Sequence, residues 1–156
     1  KKIERSNAAK VIGKFAVKLQ ILGLARKKQS NWFARDAKEV AHFVHVHKFS
    51  FGPCFRVHLG VRVLNDGREF VALNGPHATT KEMEFDDNEL SLEGCAEAMF
   101  RYVKDDGERW FASQNSVALA SADGWLDQVA RDALELMVRG DVNERSIRQS
   151  RSLLGL

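Results

Sequence analysis

Three histidines in the middle of the chain form a pattern that could bind a metal ion. His45 and His47 are an HxH pair, and His58 follows in the next apolar segment. If the two segments are neighbouring antiparallel strands, the three imidazoles project from one face of the sheet, because side chains alternate between faces along each strand. Three imidazoles can hold zinc and leave a position open for water. One hypothesis is therefore a zinc site formed by His45, His47 and His58.

Two arginines extend this pattern along the second strand. Arg56 and Arg62 lie at even spacings from His58, so the three side chains share one face of that strand. A cationic rim suits an anionic group such as a phosphate ester, with or without a metal. We therefore predict a ligand-binding face formed by His45, His47, Arg56, His58 and Arg62.

Two other interpretations of the histidines stay open. Phe43, Phe49 and Phe51 share the predicted face, so a helix could cover it and leave the histidines with structural hydrogen bonds alone. A one-residue bulge would send the rings to opposite faces. The nearby sequence also offers no acidic partner of the kind that metal-bound imidazoles usually have. The expectation is that the protein has no cofactor, with zinc as the alternative.

The strands that would position these residues are predicted from their alternation. Segments 39–51 and 54–64 both alternate apolar and polar residues, and Gly52 and Pro53 between them are typical of a turn. A two-residue loop would pair residues whose numbers sum to 105, which places His47 opposite His58. The other face of this hairpin is mostly apolar and is expected to belong to the core.

The remaining segments predict helices on either side of the sheet. Apolar residues at spacings of three and four indicate a helix over 7–22 that ends at Gly23. Later helices are predicted after Ser91, Asp123 and Asp141. Helix, antiparallel sheet and then helices is an α+β order. We predict a single α+β domain over 1–156, with an N-terminal helix, an antiparallel meander of about four to six strands and a helical C-terminal half.

Charge is distributed unevenly, although the net charge is only +3. Residues 1–30 contain nine Lys or Arg and one Glu, whereas residues 81–108 contain ten Asp or Glu and three Lys or Arg. Lys10, Lys14 and Lys18 form a basic ridge on the first helix. Such asymmetry can steer a charged partner, or the two segments can attract each other within the fold.

Several classes of protein are not favoured by the sequence. The apolar stretches are shorter than the roughly 18 residues of a membrane span, so a soluble protein is expected. A reducing, cytoplasmic compartment is expected from the two lone cysteines. Cys54 and Cys95 lack metal spacing and are expected to be free thiols. Trp32 and Phe33 beside basic residues suggest a nucleic-acid binder, but they point to opposite faces of a strand, which makes that partner unlikely. His77 is interpreted as an isolated surface residue.

Three segments resemble a bacterial family of uncharacterised domains. They are LGL at 22–24, NWFAR at 31–35 and FGPCFRVHLGV at 51–61. The resemblance implies a stand-alone bacterial cytoplasmic α+β domain. It supplies no catalytic residues, and small proteins of this sort are often accessory or immunity-like binding partners.

The sequence thus leads to two functional hypotheses. The first is a non-enzymatic binding module whose mixed sheet face accepts an anionic ligand or a partner protein. The second is a small hydrolase that acts on an anionic substrate with the same imidazoles, with or without a metal.

Overall fold

A five-stranded antiparallel sheet lies at the centre of the fold, with its strands in chain order. The structure is a computed structural model that describes residues 1–156. This meander agrees with the prediction. Its strands are β1 (Ala25–Arg26), β2 (Trp32–Ala37), β3 (Val40–Lys48), β4 (Phe55–Val63) and β5 (His77–Ala78).

Helices precede and follow the sheet, which confirms the α+β class. None of them combines the length and the apolar character that crossing a bilayer requires. Short 3-10 turns lie at Gln20–Leu22 and Lys81–Met83, and a π turn at Val103–Gly107 joins two of the later helices. The helices are α1 (Lys2–Leu19), α2 (Glu89–Tyr102), α3 (Glu108–Ser113), α4 (Ser116–Ala120), α5 (Gln128–Val138) and α6 (Glu144–Leu154).

The helix starts differ from the predicted ones by a few residues. The first helix begins five residues earlier than predicted, at Lys2, and continues to Leu19. Four later helices are capped by a side-chain oxygen that accepts a hydrogen bond from the backbone N–H three residues on. The capping residues are Asn88, Asn115, Asp127 and Asn143.

The register of the central hairpin differs from the prediction by two residues. Lys48 pairs with Phe55, and His45 faces His58, so the residue numbers of facing pairs sum to 103 rather than 105. The predicted two-residue loop is wrong: Phe49 N donates to the Cys54 carbonyl at 3.1 Å, so a four-residue loop, 50–53, joins the strands. Pro53 lies in a longer loop, and its carbonyl accepts a hydrogen bond from Phe85 N at 2.9 Å. A two-residue shift leaves every side chain on its predicted face.

The first face of the sheet is covered by α1 and α2 and forms the main core. The alternate residues of β3 and β4 that point to this face are almost all buried. Phe15 of α1 packs edge-on against Phe33 of β2, with ring centroids 5.3 Å apart. The largest completely buried side chains of this core include Phe15, Leu19, Phe33, Phe55, Leu59, Leu92 and Met99.

The two oppositely charged segments meet along the contact between α1 and α2. Lys18 Nζ lies 2.7 Å from Glu93 and 3.0 Å from Glu97, while Lys14 Nζ lies 3.4 Å from Glu93. Hydrogen bonds from Glu93 and Glu97 raise the pKa of Lys18. Because the acids and the lysines both recur one turn apart, the pairs form a ladder. Part of the charge asymmetry is therefore an attraction within the fold.

The second face of the sheet is covered over part of its area only. Helix α6 packs against it and encloses a smaller core of Ala34, Ala41, Phe43, Leu64 and Leu154. Within this core the Phe43 ring lies over Gly60 of the neighbouring strand, where a Cβ atom would come within 2.0 Å of Phe43 Cζ. Gly60 thus makes room for the aromatic ring, and the half of the face beyond it is open.

We expect Gly60→Ala to lower the free energy of unfolding by about 1–3 kcal/mol, because the fully buried Phe43 ring cannot move away from the new methyl group. Urea denaturation measures the change. Gly94→Ala in α2 is the matched control, since nothing lies within 4 Å of its added Cβ. This control should raise the stability by up to about 1 kcal/mol. Equal effects of the two substitutions would contradict the close packing at Gly60.

Candidate functional site

Three histidines and Trp32 lie in a row that crosses the sheet on its second face. Trp32 faces His45, His45 faces His58, and His58 faces His77, so one ring comes from each of four neighbouring strands. The ring centroids are 4.4, 6.1 and 5.2 Å apart along the row. We call these four residues the imidazole row. The structure therefore brings His45 and His58 together as neighbours.

His77 joins this row, although the sequence analysis interpreted it as an isolated surface residue. Strand β5 contains only two residues, which is too short for alternation to reveal it. The pairing of His58 with His77 is also a contact between distant parts of the chain. The only signal in the sequence was the position of His77 directly after a proline, and that signal indicates a loop.

His47 and Arg56 extend the imidazole row on its loop side. They face each other across β3 and β4, where the predicted register had paired His47 with His58. Phe49 lies beside both of them, with its ring centroid 5.3 Å from the His47 ring and 4.9 Å from the Arg56 guanidinium carbon. Arg56 is half-buried and His47 is exposed. Both predicted residues therefore lie on the same open part of the sheet as the row.

Arg62 lies elsewhere, beneath α6, and does not reach the histidines. Its side chain is only 4% exposed. The guanidinium donates to Ser150 Oγ at 2.9 Å and to the backbone carbonyls of Asp66, Arg68 and Phe70 at 2.6–2.8 Å. A buried arginine with these partners holds the irregular segment after β4 in place. The prediction placed Arg62 on the correct face of the sheet. It could not show that a helix covers the end of that face where Arg62 lies.

The uncovered half of the second face forms one continuous surface, which we call the open strip. His47 and His77 are exposed, whereas Trp32, His45 and His58 are half-buried. Phe51, in the loop at the edge of this surface, is 82% exposed. The open strip comprises Trp32, His45, His47, Phe49, Arg56, His58 and His77.

The two central imidazoles of the open strip are neutral at neutral pH. Burial lowers the pKa of His58 to about 4, and the charges of His77, His45, Arg56 and His47 add to this effect. Burial, followed by the charge of His47, also lowers the pKa of His45. A neutral imidazole offers one donor and one acceptor. His45 Nδ1 is buried and has no hydrogen-bond partner among the protein atoms.

The zinc hypothesis required three imidazoles around one point. Zinc ligation places each ligating nitrogen about 2 Å from the metal. In the structure His47 pairs with Arg56 rather than with His58, so the three predicted ligands do not surround a common point. No group of three or more His, Cys, Asp or Glu side chains has an arrangement that could hold a metal ion. Zinc binding by His45, His47 and His58 stays the alternative hypothesis, which direct measurement tests.

The two cysteines are free thiols, as predicted. Burial raises the pKa of Cys95 to about 12. Burial and the charge of Glu84 raise the pKa of Cys54. Because the thiolate is the nucleophilic form of cysteine, neither side chain is activated for nucleophilic catalysis at neutral pH.

We expect the free energy of unfolding to fall as the pH is lowered from 6.5 to about 4. His42 and His58 have pKa values of about 4 in the folded chain, against an ordinary value of 6.5. Between these values the unfolded state binds more protons than the folded state, so acid favours unfolding. Urea denaturation across this range measures the slope. His58→Gln should make the slope shallower, and an unchanged slope would contradict the shifted pKa.

Metal analysis tests the zinc prediction separately. Protein purified without a histidine tag is expected to contain less than about a tenth of an equivalent of zinc, because zinc sites need three or four converging ligands. The same analysis of the His58→Gln variant is the control for adventitious metal. Stoichiometric zinc in the native protein that is lost in this variant would show that the imidazoles rearrange around a metal.

No protein-family model matches the chain, and neither the curated proteins nor the solved structures contain a match to it. The resemblance to an uncharacterised bacterial family therefore stays an expectation. The function must be argued from the residues of the open strip and from the rest of the surface.

Proposed function

We propose that this chain is a non-enzymatic binding module that docks an acidic partner protein on the open strip. The observation that carries the proposal is the incomplete cover of the second sheet face. Helix α6 encloses one half of that face, and the other half presents aromatic rings, imidazoles and an arginine to the surface. The accessory or immunity-like binding expected from the family resemblance is consistent with this function.

The composition of the open strip supports a protein partner. Centres of protein interfaces are enriched in aromatic residues and arginine, and they are depleted in Lys, Glu and Asp. The strip contains Trp32, Phe49, Arg56 and four histidines, with no acidic residue and no lysine. The neutral imidazoles of His45 and His58 can both donate and accept hydrogen bonds.

The shape of the open strip also favours a protein over a small ligand. Small ligands bind in concave sites that bury most of their surface. Cavities of about 370–810 Å³ open on the surface of the molecule, but they are lined by residues outside the strip. A broad sheet face matches the extended contact that a protein partner makes.

Arg56 supports the acidic character of the partner. Its guanidinium lies over the Phe49 ring, and it donates a long hydrogen bond of 3.4 Å to Thr79 Oγ1. None of the ion pairs in the structure involves Arg56, so its charge has no carboxylate partner within the chain. An arginine positioned in this way can bind a carboxylate through two parallel hydrogen bonds.

A small hydrolase remains the second hypothesis. The observation that supports it is the close approach of His45, His58 and His77 on one face. The zinc measurement described above bears on its metal-dependent form.

A random 12-residue peptide library displayed on phage tests the docking proposal. We expect peptides selected on the native protein to be rich in Asp and Glu, and Arg56→Ala should weaken their binding about tenfold, which is the size of one charge-assisted hydrogen bond. Arg56→Glu should instead select peptides rich in Lys and Arg. Binding is measured by isothermal titration, and the contact residues are mapped by NMR shifts of Trp32, His58 and His77.

Arg101→Ala is the matched control for this experiment. Arg101 is an exposed arginine on α2, on the opposite side of the sheet from the open strip. Its removal alters the net charge by the same amount and should leave peptide affinity unchanged. Peptides that lose equal affinity in both variants would respond to net charge alone, and that result would overturn the proposal.

A further inference from the structure

A second surface feature, separate from the open strip, is a basic cavity between the β1–β2 hairpin and the end of α6. Its volume is about 560 Å³, which is within the size range of small-ligand sites. Four of its seven lining residues are cationic and none is acidic. The cations are Lys27 and Lys28 from the hairpin and Arg148 and Arg151 from α6.

Two of these cations hold the walls of the cavity together. Lys27 Nζ donates to the Leu153 carbonyl at 2.9 Å, and Arg151 forms an ion pair with Asp36 of β2. Gly155 passes so close to the hairpin that a Cβ at this position would lie 2.6 Å from Lys27 Cβ. The hairpin and the end of α6 are therefore held at a fixed separation.

The other two cations have no partner within the chain. Neither the Lys28 nor the Arg148 side chain takes part in a hydrogen bond or an ion pair of the structure, and both residues are exposed. Basic residues at the end of a helix often interact with its terminal carbonyl groups. That explanation accounts for Lys27, which binds such a carbonyl. It does not account for Lys28 and Arg148, whose charges are not paired with any group of the chain.

The backbone of Lys28 places its side chain at the rim of the cavity. Its φ is 50°, in the left-handed region, within a turn closed by the hydrogen bond from Ser30 N to the Lys27 carbonyl. Glycine adopts this conformation without the steric cost that a side chain brings. A lysine at this position therefore costs stability while it directs a cation to the rim of the cavity.

We infer that this cavity binds a small phosphate-bearing anion. Lys28 and Arg148 would contact the phosphate oxygens directly, and the Ser152 hydroxyl, which also lines the cavity, would donate to them. Leu156 is the one hydrophobic lining residue, so the site offers little apolar surface to an organic moiety. A compact polyanion such as pyrophosphate, or the terminal phosphates of a small metabolite, fits this chemistry best.

Isothermal titration with sodium pyrophosphate in low-salt buffer tests the site. We expect one equivalent to bind, and we expect Lys28→Gly and Arg148→Gln each to lower the affinity about tenfold, which corresponds to one charge-assisted hydrogen bond. Thermal unfolding separates this effect from misfolding. Lys28→Gly should unfold at the same or a higher temperature than the native protein, because glycine relieves the left-handed strain.

Lys38→Gly is the matched control. Lys38 is the other lysine with a positive φ, at 65°, in the turn between β2 and β3, and its side chain is 87% exposed. Its replacement removes the same charge and the same kind of strain away from the cavity. It should raise the unfolding temperature in the same way and leave pyrophosphate affinity unchanged.

Three results would overturn the inference. The first is native protein that does not bind pyrophosphate, and the second is equal loss of affinity in Lys28→Gly and Lys38→Gly. The third is much tighter binding to a single-stranded oligonucleotide, with affinity that grows with its length, which would indicate a strand-binding surface instead. Arg56→Ala should bind pyrophosphate as the native protein does, so this inference and the docking proposal fail or succeed independently.

Discussion

The alternation of side chains along β3 and β4 is the constraint on which the rest of the structure depends. Successive residues of a strand point to opposite faces, so burial of one set fixes the position of the other. Val44, Val46, Val57 and Leu59 are completely buried against α1 and α2. Their burial stabilises the fold by removing apolar surface from water. Because the residues between them point the other way, His45, His47, Arg56 and His58 must lie on the second face. The open strip is therefore a direct consequence of how the core is packed.

The cover of the second face is limited by the length of one helix. Helix α6 contains 11 residues and so spans about 16 Å, whereas strands of the length of β3 and β4 extend for about 30 Å. It covers the Phe43 and Arg62 end of the face, and Trp32 packs against the edge of the small core that it encloses. The three histidines of the imidazole row lie beyond it. The boundary also separates two kinds of polar residue. Arg62, beneath the helix, has its donors bound to backbone carbonyls, while Arg56, beyond it, has a free charge.

Electrostatic pairing within the fold determines which charges remain for partners. The basic ridge of α1 is matched by Glu89, Glu93 and Glu97 of α2, so these three acids and the three lysines of the ridge neutralise each other. Among the cations that form no ion pair, Arg56 lies at the open strip, and Lys28 and Arg148 line the cavity beside α6. Each proposal rests on cations of this kind. A partner with carboxylates suits the single arginine of a broad surface, and a compact phosphate suits the converging cations of a cavity.

The sequence by itself determined the α+β order, the strands of the central hairpin and the face to which each of their side chains points. It could do so because helical and strand periodicities are local, and a face assignment survives a register shift of two residues. Only the tertiary structure decided that His45 rather than His47 faces His58, that His77 completes the row and that Arg62 is buried. The register depends on the turn at Pro53, and the short β5 is defined only by its partner strand. The burial of Arg62 depends on a helix about 90 residues later in the chain. These features come from contacts between distant segments, which no local pattern specifies.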